Sequence, residues 1–539
     1  MTRERPNWCN QTSPMKKHLA GRFSGSRYAY PEEETKMMIS KRFDADVLVV
    51  GGGTAGVAAA VSAARKGMKT LLVESQGSLG GLATNGLVTG VAGMIEGICK
   101  EFLDRMEAEG DLIPRPHLPS FDPEKAKFML ERMVLEAGAR ILYWTYVVDA
   151  EVEDGCIKEV ICHSKSGWMA IAAKMVIDTT GDADVAAYAG VPFEVGSPEF
   201  AGLNMSTTLA FRLAKVNMRK YREAMQAWHA KEKVPTKMTI VSELMEKAVE
   251  SGDLPYFIFP TALIYPVPRT SEEESDVTVM TAHSFYTRNL DVEDLTRQVI
   301  EQHQQIGWLE KFFRKYVPGF EASRLAGLAN LHGIRDSRRV TGEYVLKDED
   351  VVCAKKFEDG IAKFPEFLDT HHPTSPRIGF MRHVHLDEPK GPAICRPAEC
   401  SGEMHPFVKR AGYEARCSPR EYCEIPYRSL VPMKIDNLLV AGRCVSAEFN
   451  ALAAVRVIAI CMGTGQAAGI AAALCLKDGT APRKLDGRLV RQAMIELGVP
   501  LDKAPDGHWA AIREVRGEYV VGPGDFIMML TPEGLRSPM

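Results

Sequence analysis

Three hydrophobic patterns recur along the chain, and each predicts a different element. Residues 47–50, VLVV, are an unbroken branched run, as a strand covered on both faces requires. Glycines 51–53 follow. An alanine-rich stretch from Val57 to Lys66 then reads as a helix closed by Gly67, and Lys69 to Glu74 is a second buried strand. IEGICKEFLDRMEAEG and DPEKAKFMLERMVLEAG carry the helical period instead. Residues 140–178 alternate, with turn pairs at Asp154-Gly155 and Ser166-Gly167. They predict a small antiparallel meander feeding another strand of the main sheet.

Near the other end, residues 437–474 hold a strand closing on Gly442 and Arg443, then a small-residue helix preceded by Gly463, Thr464 and Gly465. Residues 204 to 345 break the alternation. They hold the helical YREAMQAWHAKEK, a polar TSEEESD and a long helical segment ended by Pro318-Gly319. The predicted class is α/β. A Rossmann-like domain of parallel sheet plus meander carries an inserted α+β substrate domain. The expected boundaries are a leader or arm at 1–43, the dinucleotide domain at 44–203, the insertion at 204–345 and loops with a lid at 346–424. A return segment at 425–485 and a C-terminal helix and tail at 486–539 complete the chain.

The first turn carries the sharpest chemistry. Gly51-x-Gly53-x-x-Gly56 opens a helix directly after a strand. Gly51 allows the tight turn, Gly53 lets backbone approach a pyrophosphate, and Gly56 lets helix and strand pack closely. Thr54 and Ala55 begin that helix, whose N-terminus favours an anion by about 0.3–2 kcal/mol. Glu74, followed by Ser75, ends the second strand where a carboxylate accepts hydrogen bonds from a ribose diol and disfavours a 2′-phosphate. The next segment favours FAD over NAD. SQGSLGGLATNGLVTG offers Gly80, Gly81, Leu82, Thr84 and Asn85 to an extended cofactor, where a simple NAD enzyme begins another helix. Thr180, Gly181 and Asp182 follow another buried strand. The helix carrying Gly465, Gln466 and Ala467 is expected to face the flavin with its N-terminus.

Together VLVVGGGTAG…ES, GGLATNGLVTG, IDTTGDADVA, GIRDSRRVTGEYVL, IPYRSLVP and NLLVAGRCVSAEFNALAAVRV…GQAAG resemble the FAD-dependent oxidoreductases. These are glutathione-reductase-like flavoproteins near the thiazole-synthase, fumarate-reductase and tRNA-modifying branches. The resemblance implies non-covalent FAD, its adenine half on the N-terminal unit, and backbone contacts to adenine from the strand around Val147.

Arg335, Arg338 and Arg339 lie together with Asp336 in GIRDSRRVTGEYVL. They suit a carboxylate clamp or a structural ion-pair cluster at a domain junction. Asp369-Thr370-His371 matches the family's Asp-x-His, so His371 is either the base that accepts a substrate proton or a loop histidine. Tyr427 is its polar partner by resemblance. Segment 381–423 holds His383, His385, Cys395, Cys400, His405, Cys417 and Cys423. The spacing misses a metal-site turn, and a lid or oligomer contact is expected there, with no metal.

Bulk composition bounds the rest. The 539 residues are 45% hydrophobic and 25% charged, an ordinary globular balance, with room for several domains. A net charge of −4, from 66 basic and 70 acidic residues, gives no case for nucleic acid or an anionic membrane as partner. No apolar run reaching the roughly 18 residues of a bilayer span is evident. Without an apolar h-region at the start and with 12 unframed cysteines, a cytoplasmic home is expected. The function expected is hydride transfer between flavin N5 and a small polar substrate, hydroxylated, carboxylated or sugar-like. The electron partner is open and a homo-oligomer is allowed. The alternatives are an electron-transfer subunit, which wants C-x₂-C clusters this chain lacks, and a nucleic-acid-modifying flavoprotein, which wants a basic face.

Overall fold

Val47–Val50 are the buried end of the central strand, β1 (Ile39–Val50), which hydrogen-bonds a parallel neighbour on each side. The computed structural model describes residues 39–503 except 116–117, 232–238, 353–354, 365–368, 375–379, 382–383, 386–392 and 395–421. The expected leader up to residue 38, the tail beyond 503, and His383, Cys395, Cys400, His405 and Cys417 lie outside the described residues.

The chain leaves β1 through the glycines into α1 (Thr54–Arg65) and returns as β2 (Thr70–Val73), parallel to β1 with Val50 opposite Val73. Helices α2 (Gly97–Ala108) and α3 (Pro123–Glu136) follow where the apolar period placed them. Asp122 caps α3 by accepting the Glu124 and Lys125 N–H groups, with Pro123 at the first turn. Strand β3 (Arg140–Leu142) adds to β2. The meander is β4 (Tyr146–Glu153), β5 (Cys156–Ser164) and β6 (Gly167–Asp178). Asp154 and Gly155 join its first two strands with φ of 51° and 72°, the left-handed pair a two-residue hairpin needs.

Strand β6 also runs parallel to β1, and its end pairs with β11 (Leu438–Val440) from the far end of the chain. The seven strands thus run β3-β2-β1-β6-β5-β4, with β11 beside the end of β6. The carboxyl ends of β2, β1, β6 and β11 open on one edge, where open α/β sheets bind ligands.

A second, antiparallel sheet is built from residues 207–328. It runs β8-β9-β7-β10, from β7 (Thr207–Val216), β8 (Leu263–Pro266), β9 (Ser275–Ser284) and β10 (Arg324–Leu328). Helices α4 (Met218–Lys231) and α5 (Ile240–Glu250) lie between β7 and β8 in the chain. The long α6 (Val292–Tyr316) is capped by Asp291 and stops just before Pro318-Gly319. One face of this sheet packs Leu209, Phe211, Leu213, Val277 and Val279 against Leu309, Phe312 and Phe313 of α6. Its other face meets the open edge of the first sheet.

Helix α7 (Ile458–Asp478) corrects two expectations. It is 21 residues long and apolar enough to cross a bilayer, contrary to the reading of the sequence, yet it is mostly buried in the fold. It also begins before Gly463 and Gly465, which therefore sit inside it. The reason is packing. A Cβ on Gly465 would stand 2.1 Å from the Ala55 carbonyl oxygen, and one on Gly469 2.3 Å from that of Ala59. Small residues bring α7 and α1 into backbone contact. The terminal helix α8 (Gly487–Glu496) is capped by Asp486.

Candidate functional site

A cavity of about 420 Å³ runs from the glycine turn to the antiparallel sheet. At its first end, Gly51 has φ +99°, and a Cβ there would lie 2.5 Å from the Thr179 carbonyl oxygen. A Cβ on Gly56 would lie 1.8 Å from the Gly51 carbonyl, so both glycines are fixed by close approach. Gly53 differs. No atom lies within 4 Å of its would-be Cβ, so its backbone faces open space at the head of α1, which has no side-chain cap. Thr54 and Ala55 line the cavity there.

Glu74 also lines it and ties the turn together. One carboxylate oxygen accepts the Gly52 N–H at 2.6 Å, and the other accepts the Gln76 N–H at 2.7 Å and the Ser75 hydroxyl at 3.0 Å. Ser75, Gly81, Leu82, Val147, Thr180, Gly181, Asp182, Gly442 and Arg443 line the same wall. Arg443 pairs with Asp182 at 3.2 Å, while its buried Nη1 has no hydrogen-bond partner among the described residues.

Several expected residues stand behind the wall instead. Gly80 (φ +100°) turns the chain over Thr84, whose hydroxyl donates to the Leu79 carbonyl, and Asn85 accepts the Ser78 hydroxyl. Gly465 packs on Ala55, Gln466 accepts the Ile98 N–H at 3.0 Å, and Ala467 is buried. These residues shape the fold around the cavity. Arg338 is held by Asp184 and the Asp182 carbonyl, over the Phe193 ring, so the ion-pair reading holds for it. Arg339 is likewise committed to the Gly196 carbonyl. Tyr427 is fully buried and donates to the Pro482 carbonyl at 3.0 Å, away from His371. The IPYRSL segment ends a strand paired antiparallel with Gly360–Phe364 and turns into a short 3₁₀ helix, and none of it lines the cavity.

The far end is polar and mostly buried. Arg335 and His371 line it, joined by Asp369, Arg456 and His283. Nε2 of His371 is 3.4 Å from Asp369, and Arg456 donates to both the carbonyl (2.6 Å) and the carboxylate (2.9 Å) of Asp369. Burial would raise the Asp369 carboxyl, but His371 and Arg456 beside it outweigh burial and hold it below the usual carboxylate range. Burial, then Arg335, pulls the His371 imidazole down to about 3. Burial, then Arg456, pulls the Arg335 guanidinium down to about 9.

His283 and Arg456 were missed by the sequence reading. A bulge in β9 explains the first. Leu209 pairs with Ala282 but Phe211 pairs with Val279, so β9 spends an extra residue and turns His283 to the cavity face beside Thr208. Strict alternation would have placed it opposite Met280. Arg456 did leave a signal, as a lone guanidinium inside the apolar run AAVRVIAI.

The residues fit FAD on their own terms. An uncapped helix head, a glycine open to the cavity, a carboxylate closing β2 and an arginine with an unpartnered N–H suit an extended dinucleotide. Parts of this chain are similar to known proteins. Thiamine thiazole synthase of Methanococcus vannielii is 32% identical over 168 residues, covering 28% of this chain and 64% of the relative. That of Sulfolobus acidocaldarius is 30% identical over 159 residues, 27% of this chain and 58% of the relative. The chain thus spans less than two thirds of the length of these curated relatives. Among solved structures, a geranylgeranyl bacteriochlorophyll reductase-like protein from Thermoplasma acidophilum is 13% identical, covering 92% of this chain and 98% of its own, at a TM-score of 0.44. The family description "FAD dependent oxidoreductase" matches residues 46–494, nearly the whole described fold. The chain belongs to the FAD-dependent oxidoreductase family.

Proposed function

We propose that this enzyme moves a hydride between a small polar organic substrate, hydroxylated, carboxylated or sugar-like, and its flavin. Residues Gly51 to Ala55, Glu74, Gly181, Asp182 and Arg443 would hold the dinucleotide, and FAD supplies the two-electron acceptor. The observation that carries the reading is the polar cluster at the opposite end, where His371 is oriented by Asp369 and flanked by Arg335 and Arg456.

Each member has a distinct task. Oxidation of a carbinol to a carbonyl releases the proton of its hydroxyl, and His371 is a neutral imidazole at the cavity wall able to accept it. Asp369 holds the ring and balances the charge His371 gains. The arginines disfavour that charge in the empty cluster, so an anionic group arriving between them raises the proton affinity of His371. Arg335 also orients polar substrate groups, with its Nη1 anchored on the Ser206 carbonyl at 2.6 Å. Burial keeps water from competing for these groups.

The test is anaerobic mixing of the FAD-loaded enzyme with hydroxy acids, amines and glycosides, following the flavin absorption band. Bleaching by one class identifies the hydride donor. His371→Ala should slow that bleaching while FAD stays bound; an unchanged rate would remove His371 from the mechanism. Bleaching by nicotinamides alone would reverse the direction to reduction.

A further inference from the structure

We propose that the substrate is an amphiphile, with an anionic head held between Arg335 and Arg456 and an apolar tail laid along Leu263, Tyr265, Met280, Leu118 and Ala92. The inference rests on the proposed reading of the polar cluster as the substrate end.

The bulge in β9 divides the cavity face of the antiparallel sheet into two chemistries. On one side stand Thr208 and His283; on the other, Leu263 and Tyr265 of β8 beside Met280 of β9, with Leu263 directly opposite Met280. Leu118 and Ala92 extend this wall. These five side chains form a small hydrophobic cluster separate from the main cores. All five line the cavity, so their apolar surface faces space rather than a closed interior. Apolar surface lining a cavity gains stability only from an apolar occupant.

The wall is built rather than loose. Thr89 bonds Thr278 through their hydroxyls at 2.9 Å, and Val91 N–H donates to the Pro119 carbonyl at 2.9 Å. A Cβ on Gly90 would come 2.5 Å from the Tyr265 ring, so glycine lets this strap lie against the aromatic face. None of these residues belongs to the parallel sheet edge that holds the dinucleotide signature.

The head assignment follows from charge and from an orphaned donor. Among the described residues, Arg335 and Arg456 share one neighbouring carboxylate at the cavity, Asp369. The other nearby acid, Asp336, is occupied by the Asn204 amide at 2.8 Å and the Met205 N–H at 2.7 Å. The buried Nε of Arg456 has no hydrogen-bond partner. A carboxylate supplies both the missing charge and the missing acceptor.

The test uses the FAD-loaded enzyme and straight-chain carboxylates from acetate to decanoate, read by perturbation of the flavin spectrum. Affinity should rise about fourfold per methylene to a plateau, the factor expected from burying each CH₂. Primary alcohols of equal length should bind at least about tenfold more weakly, the loss of one charged hydrogen bond. Met280→Trp should move the plateau to a shorter chain. Affinity independent of length would overturn the tail and assign the apolar wall to the coenzyme; equal binding of alcohols and carboxylates would overturn the head. The readout is binding, so the two readings fail separately. A length-dependent series with no bleaching by any of the hydroxy acids, amines, glycosides or nicotinamides sinks hydride transfer alone, and His371-dependent bleaching with a flat series sinks the amphiphile alone.

Discussion

Arg335 reaches from its guanidinium to Nε2 of His283 across 3.3 Å, and this contact decides what the histidine can be. Arginine only donates, so Nε2 must accept. The Thr281 carbonyl, 2.8 Å from Nδ1, only accepts, so Nδ1 carries the proton. His283 is therefore locked as one neutral tautomer, and burial with Arg335 beside it holds its proton affinity well below the ordinary value. It stacks on His371, with ring centroids 5.6 Å apart and 20° from parallel, yet only His371 is paired with a carboxylate.

The two histidines should consequently separate in kinetics. His283→Gln keeps an acceptor for Arg335 and should preserve flavin reduction within about tenfold. His371→Ala removes the proton acceptor and should cost roughly 10²–10⁴. Stopped-flow reduction of both variants measures the ranking, and equal losses at the two positions would refute it.

Gly53 and Gly56, on the same turn, should respond to alanine with opposite signs. Gly53 has an ordinary φ of −64° and open space at its Cβ, so Gly53→Ala should leave stability unchanged or raise it by about 0.4–1 kcal/mol. The added methyl enters the space proposed for the pyrophosphate, and FAD affinity should fall. Gly56→Ala drives a methyl into the Gly51 carbonyl and should cost about 1–3 kcal/mol or more. Thermal melts of the apo-protein with FAD fluorescence titrations distinguish them. Wild-type FAD affinity in Gly53→Ala would place the pyrophosphate elsewhere.

The glycine-turn end of the cavity was legible because its geometry is local. Gly51, Gly53, Gly56 and Glu74 fall within one βαβ unit, where spacing alone fixes geometry. The meander was legible for the same reason, through Asp154-Gly155. The polar far end was not, because it is assembled across long separations. His283 reaches the cavity only through a bulge that alternation cannot anticipate, and Arg456 meets Asp369 across 87 positions. Gly465 misled because a glycine within a helix reads as a boundary, whereas here it is a contact with Ala55. Tyr427 misled because resemblance carries a residue's position without its side-chain environment.

Acid should loosen the fold through His332. Burial, then Arg335, lowers its imidazole from the ordinary 6.5 to about 4, with Nε2 set 3.0 Å from the side-chain amide oxygen of Gln298. Above pH 6.5 neither folded nor unfolded histidine is charged, and the group contributes no pH dependence. Between 6.5 and 4 the unfolded chain binds a proton that the folded one refuses, so stability falls as pH falls, by up to about 1 kcal/mol per pH unit. Buried Asp178 and Asp348, both raised to about 6, act in the opposite sense over the same range, so the comparison must be between variants. His332→Gln should gain on the wild type as pH drops from 6.5 to 4.5 in denaturant melts. Parallel curves would show that His332 titrates normally.

Helix α6 supports the polar end of the cavity through glutamines rather than through charge. Gln298, Gln302 and Gln305 share one helical face, and all three are buried. Gln305 accepts the His283 N–H at 3.0 Å and donates to the His283 carbonyl at 2.7 Å, satisfying both backbone groups of His283 just beyond the bulge. Gln302 donates to the Thr207 carbonyl at 3.1 Å on the neighbouring strand. Gln305→Leu would strand a buried N–H and a buried carbonyl at once, so a loss of about 1–3 kcal/mol is expected for each group left unsatisfied. The same change frees the bulge, so the His283 ring loses its fixed place beside Arg335 and substrate affinity should weaken while FAD affinity holds. Chemical denaturation and paired titrations with substrate and FAD measure both effects. If Gln305→Leu melts like wild type, the helix does not hold the bulge, and the orientation of His283 must come from Arg335 and Thr281 alone.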